Sequence, residues 1–274
     1  MRCFRRRKPS MASAESDQSR DDETPTHPSR TSTIQSQTLD LVSQQTMIHA
    51  SGTGEDALAP CPSQGPAANW ESLDYSNGAD YLGWTYAGKR EGSGKIQKDD
   101  LVYEGQWQAD LPHGDGLFAG EGTIYEGQWD HGLPHGHGVA MLPDGSKYVG
   151  EWCDGACSGE GKLVTEDGRV YAGAFSDGLP NGEGVLVTAE GMRVRCHFID
   201  GAPFGIGEIE WPDGMRYVGT IIDGLPHGLG RLTNENSVCL GLWKAGVLET
   251  RLKAHGSIPD ALRDDPAVKY LAAH

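Results

Sequence analysis

Gly155-Ala-Cys157-Ser-Gly159 has the Gly-x-nucleophile-x-Gly spacing that, on a sharp strand-to-helix turn, exposes a nucleophile; here that would be the Cys157 thiol. Cys153 and Cys157 flank one turn signal and have the residue type for metal ligation or a disulfide, but no second Cys or His pair is placed to complete a site. His113, His135 and His227 are candidate acid–base groups, and many Gly-x-Gly pairs invite a phosphate-loop reading. None of these signals is specific. No Gly-x-Gly is followed by Lys-Ser/Thr or opens a helix, and the glycines around Cys157 and the three histidines all fall at recurring positions of a repeat. No catalytic residue, metal site or cofactor is therefore assigned, and the elements that position these residues decide the reading.

Rows of 22 or 23 residues bring the chain into phase when they start at Tyr81, Tyr103, Tyr125, Tyr148, Tyr171, Val194, Tyr217 and Cys239. Two positions on stand Gly83, Gly105, Gly127, Gly150, Gly173, Cys196, Gly219 and Gly241. Four positions on stand Thr85, Trp107, Trp129, Trp152, Phe175, Phe198, Ile221 and Trp243. Glycine recurs at offset seven except at Asp110, and Gly-x-Gly occupies offsets eleven and thirteen in seven rows. The eighth row is partial.

Period-two spacing puts Tyr, Gly and Trp on one face of a strand and the intervening Glu, Gln or Val on the other. The second half of each row repeats the pattern with Gly, Gly and an apolar residue such as Phe118 or Leu163. Each row is thus predicted to be a β-hairpin. Its first turn is expected at Gly-Leu-Pro-His/Asn-Gly, as in 132–136 and 178–182, and its second at Asp-Gly or Glu-Gly. Strand glycines need covering, and a Tyr or Trp ring laid over them supplies it. The fold class is all-β: an elongated, single-sheet solenoid of tandem antiparallel hairpins, with a disordered N-terminal tail over 1–70, the array over 71–250 and a C-terminal helical cap over 251–274.

Composition supports a thin fold. Hydrophobic residues other than glycine make up 37% of 274 positions and glycines number 39, about twice the ordinary glycine share. Residues 10–69 are rich in Ser, Thr, Gln and Pro without sustained periodicity. The net charge of −16 excludes nucleic-acid binding through bulk electrostatics. From 81 to 250 there are 12 basic and 25 acidic side chains, a net −13, which disfavours anionic lipid at the array itself. Six scattered cysteines and the lack of a long apolar run fit a reduced, cytoplasmic protein.

Rows such as Tyr125-Glu-Gly-Gln-Trp-Asp-His-Gly-Leu-Pro-His-Gly-His-Gly resemble the MORN repeat (membrane occupation and recognition nexus), over about residues 81–246. The resemblance implies a non-catalytic scaffold. Rows one, six and eight depart from it at Thr85, at Val194 and Cys196, and in the last half-row. A one-layer sheet is expected to leave an aromatic groove open to a protein partner, lined by Tyr103, Trp107, Tyr125, Trp129, Tyr148, Trp152, Tyr171 and Phe175. At the N-terminus, Cys3, Arg5, Arg6, Arg7 and Lys8 suit a lipid-modified, basic tether to the cytoplasmic face of an anionic membrane, unless translation starts at Met11. The alternatives are a cytoskeletal or axonemal component without lipid contact and a regulatory fragment of a phosphatidylinositol phosphate kinase. Exposed terminal strands would permit end-to-end homo-oligomers. Asp265-Pro266 opens a short helix expected to cover the last hairpin.

Overall fold

The structure is a computed structural model that describes residues 47–50, 68–252 and 262–273. After β1 (Met47–Ala50) and β2 (Ala68–Tyr75), the rows fold as hairpins: β3/β4 (Asp80–Tyr86, Lys89–Lys98), β5/β6 (Leu101–Gln108, Leu111–Gly120), β7/β8 (Thr123–Asp130, Leu133–Met141) and β9/β10 (Lys147–Cys153, Ala156–Val164). Then come β11/β12 (Val170–Ser176, Leu179–Val187), β13/β14 (Arg193–Ile199, Ala202–Glu210), β15/β16 (Arg216–Ile222, Leu225–Asn234), β17/β18 (Ser237–Lys244, Val247–Leu252) and helix α1 (Pro266–Ala273). All 18 strands form one sheet in which each pairs antiparallel with its chain neighbour. The hairpin solenoid predicted from the repeat is what forms. Strand residues also occur within the segment expected as a tail, at Met47–Ala50 and from Ala68 onward; most of that segment lies outside the described residues. There Leu73 is buried opposite Tyr81, so β2 extends the ring face ahead of row one, while Trp70 meets Trp84 edge-on at 5.7 Å on the opposite face.

The first turn of every row is a two-residue type I′ turn, not the Leu-Pro-His/Asn segment. Its two positions, such as His131-Gly132, Asp154-Gly155 and Asp177-Gly178, have φ of 47–52° and 74–84° in all eight rows, the twist that matches flanking strands. Leu133-Pro134 then begins β8, with Pro134 opposite Trp129 just before a bulge in the register. Pro lacks an N–H and is tolerated at such a break. The turns also dock onto the preceding row: Gly132 N donates to Pro112 O, Gly155 N to Pro134 O and Gly201 N to Pro180 O, at 2.8–2.9 Å.

Asp110 replaces the turn glycine because Arg90 replaces the docking proline one row earlier. The buried Arg90 holds its Nε 3.3 Å from Asp110 Oδ1, and its backbone N–H donates to the same oxygen at 2.8 Å. Its guanidinium lies 4.6 Å from the Trp107 ring centroid, so the charge is met by both a carboxylate and an aromatic face. At the other end, Ala267 N donates to Asp265 Oδ1 at 2.9 Å, which makes Asp265 the helix cap the sequence predicts. The helix lies against β14, β15 and β16, not on the last hairpin. Among the described residues no helix is long and apolar enough to cross a membrane.

Candidate functional site

The ring face is built one residue at a time. Each row-opening tyrosine lies along its own strand and donates its hydroxyl to the carbonyl three residues on: Tyr81 to Trp84, Tyr103 to Gln106, Tyr125 to Gln128, Tyr148 to Glu151, Tyr171 to Ala174 and Tyr217 to Thr220, at 2.7–2.9 Å. The ring needs bare backbone beneath it. A Cβ on Gly138 would stand 2.5 Å from the Tyr125 hydroxyl, and one on Gly127 would stand 2.5 Å from Gly138 Cα. The tryptophans brace the rows by donating Nε1 to the preceding row, Trp107 to Gly94 O, Trp129 to Gly116 O and Trp152 to Gly138 O, at 3.0–3.4 Å.

Edge-to-face contacts run without interruption from Tyr81 through Trp107, Tyr103, Trp129, Tyr125, Trp152, Tyr148, Phe175 and Tyr171 to Phe198, with centroids 4.8–5.5 Å apart. Each such pair contributes roughly 0.5–1.5 kcal/mol beyond area burial. The structure therefore brings together all eight side chains assigned to a groove, but as core: Tyr103, Trp107, Tyr125, Trp129, Tyr148, Trp152, Tyr171 and Phe175 are 0–5% exposed. The open stripe is corrected. Each ring is covered from one side by the backbone of its own row and from the other by the ring of the next, so little apolar surface is left for a partner. Burial drives the phenol pKa values of Tyr103, Tyr125, Tyr148 and Tyr171 well above the ordinary value, so they stay neutral hydrogen-bond donors.

The opposite, outer face carries the residues that the sequence reading passed over. Val102, Ala119, Ile124 and Met141 stand in cross-strand register over β5–β8. Beside them run Glu104, Leu117, Glu126, Val139 and Val149. Leu117, Ile124, Val139, Met141 and Val149 are 37–48% exposed. The signal was present as apolar residues at the "polar" offsets of rows two to four. Where α1 packs against β14–β16, the outer-face residues Val218 and Leu229 and the helix residue Ala267 are buried.

Cys157 and Cys153 fall on opposite faces, Cys157 buried beside Trp152 and Cys153 exposed. Cys157 lines a small apolar cavity with Leu142, Tyr148, Trp152, Leu163 and Phe175, at the row where Phe replaces Trp. Its surroundings are strands and a hairpin turn, so it does not sit on a strand-to-helix elbow. Cys196 is buried, which pushes its thiol pKa to about 12. The tether residues Cys3, Arg5, Arg6, Arg7 and Lys8 lie outside the described residues.

The pattern of the MORN-repeat family matches residues 103–123, 125–147, 148–168, 171–193, 197–216 and 217–237. These are MORN repeats. No curated relative matches the chain. It is similar at 14% identity to a solved structure described as the microcephaly protein CPAP G-box domain, with a suggested role in centriole elongation, covering 68% of this chain and 94% of that one with a TM-score of 0.32. It is similar at 13% identity to the SAS-4 (dCPAP) TCP domain in complex with a proline-rich motif of Ana2 (dSTIL) of Drosophila melanogaster, covering 68% and 97% with a TM-score of 0.27. At these TM-scores neither likeness bears on function. The MORN match omits row one and the last half-row, although both fold as hairpins of the same sheet, because Thr85 and the missing final Gly-x-Gly remove the pattern without removing the pairing.

Proposed function

We propose that this MORN-repeat scaffold is non-enzymatic and holds a basic amphipathic helix of a protein partner on its outer face, over β5–β9. The observation that supports this is internal. The chain's own short helix already lies on the outer face at β14–β16, where Val218 and Leu229 are buried, while the same face three rows earlier presents Leu117, Ile124, Val139, Met141 and Val149 to solvent. Glu104 and Glu126 alternate with the apolar residues there, which favours basic residues on the helix. The tether expectation belongs to this reading: Cys3 and the adjoining basic residues would hold the array at the cytoplasmic face of an anionic membrane, while the acidic array itself stays off the lipid.

The test compares full-length protein with the triple variant Ile124→Lys/Met141→Lys/Val149→Lys. Cross-linking mass spectrometry on complexes isolated from cells is expected to map partner cross-links to β5–β9 in the parent and to lose them in the variant at unchanged thermal stability. Partner cross-links retained by the variant, or mapped only to other faces, would overturn the reading. Detergent fractionation with and without residues 1–10 checks the tether, which requires that the truncation release the protein into the soluble pool.

A further inference from the structure

The stacked first turns form an edge of the array, and in rows three and four that edge gathers three different donor atoms. His135 belongs to β8, Cys153 ends β9 and Asp154 is the first residue of the β9–β10 turn. Their ligand atoms, an imidazole nitrogen, a thiol sulfur and a carboxylate oxygen, all lie within 4.8 Å of one another. The backbone brings them there: Gly155 N donates to Pro134 O at 2.9 Å, docking the row-four turn beside His135. Cys153 is a free thiol.

His135 Nδ1 is buried and has no hydrogen-bond partner. At the same repeat position elsewhere an acceptor is satisfied by the next turn: Ala109 N donates to Glu91 Oε2 at 2.9 Å and Ala245 N donates to His227 Nδ1 at 3.5 Å. The Asp154 carboxylate stands 3.9 Å from His135 Nδ1, beyond hydrogen-bond distance. One row earlier, His113, Asp130 and His131 occupy the equivalent positions but engage one another, with Asp130 Oδ1 2.7 Å from His131 Nδ1 and 3.2 Å from His113 Nδ1. His135 Nδ1 is thus left without a hydrogen-bond partner beside a thiol and a carboxylate.

We propose that His135, Cys153 and Asp154 form a binding site for a divalent cation of the zinc class, clipping row three to row four. Thiolate, imidazole and carboxylate bind such an ion at about 2.0–2.3 Å, so tetrahedral ligand atoms sit roughly 3.3–3.8 Å apart. The three side chains close that gap by rotating at the surface, and a water molecule takes the fourth position. Binding transfers the Cys153 thiol proton to solvent. A mixed N, S, O set with a thiolate selects zinc or cobalt over calcium or magnesium.

The test titrates Co(II) into the reduced, chelator-stripped full chain and reads the thiolate-to-cobalt charge-transfer absorption. One equivalent is expected to saturate the band, Zn(II) to abolish it, Cys153→Ser to remove it and His135→Gln to weaken binding at least tenfold. Cys157→Ser is expected to keep the band. Circular dichroism of the variants confirms folding, which exposed positions 153 and 154 and half-exposed 135 tolerate. Absence of the band in the parent protein, or an undiminished band in Cys153→Ser, would overturn the site.

Discussion

Val149 and Val218 are the same residue at the same repeat position, one after the row-opening tyrosine, yet Val149 is 44% exposed and Val218 2%. The sheet pairing is alike at both; what differs is the second layer. In rows two to five the ring ladder is complete on one face and the outer face is bare. In rows six and seven Val194, Cys196 and Ile221 interrupt the ladder, and there α1 covers the outer face. A repeat array is held by nearest-neighbour contacts, so each stretch needs its own source of stability. The N-terminal rows draw on ring-to-ring packing, and the C-terminal rows add a helix where that packing is thinner.

The largest effect should come from breaking the ladder in its complete stretch. Tyr125→Ala removes a fully buried ring with two Trp neighbours and is expected to cost about 3–5 kcal/mol. Hydrogen exchange should rise at β7–β9 while β14–β16 stay protected; uniform loss across the sheet would mean that the rows do not draw on separate contacts. Tyr125→Phe, which loses only the bond to Gln128 O, is expected to cost about 1 kcal/mol.

Next in size is the covered valine. Val218→Asp is expected to cost about 2–3 kcal/mol and to expose α1 to proteolysis, whereas Val149→Asp should stay within about 0.5 kcal/mol of the parent. Similar melting shifts in the two variants would remove the contrast. Phe175→Trp offers a smaller change in the opposite direction. It extends the tryptophan brace by one row and fills the cavity beside Cys157, with an expected gain of about 0.5–1 kcal/mol in chemical denaturation. A loss would show that the cavity is too small for an indole.

The least perturbing test is chemical. Cys153 is exposed, while the buried Cys196 thiol, raised to about 12, is shielded from reagent and stays protonated through pH 9. Iodoacetamide at pH 8–9 should therefore label Cys153 and spare Cys196 until the protein unfolds. Labelling of both at equal rates in the native state would indicate that row six opens readily.

Much of the fold is legible because Tyr, Gly and Trp recur in phase and period two sorts them onto one face. The Asp265 cap and the proline after it are likewise local signals. The first turn was harder to place. Asp-Gly and Leu-Pro-His-Gly both carry turn chemistry, and only the strand register shows that Pro134 stands at a bulge while Asp154-Gly155 and its counterparts reverse the chain. His135 with Cys153 was invisible for a related reason: the two are 18 positions apart, and their proximity depends on a row-four turn docking on a row-three strand.

What the residues determined alone was the unit: a hairpin recurring in eight phased rows, the last partial, with a tyrosine ring over glycine in six of them, and a capped helix after it. Those follow from backbone freedom at glycine, side-chain alternation and local capping, all of which act within about 23 positions. The tertiary structure decided which surfaces remain open. Burial depends on what the neighbouring row and the distant helix cover, so Tyr125 became core and Val149 stayed exposed where Val218 was sealed.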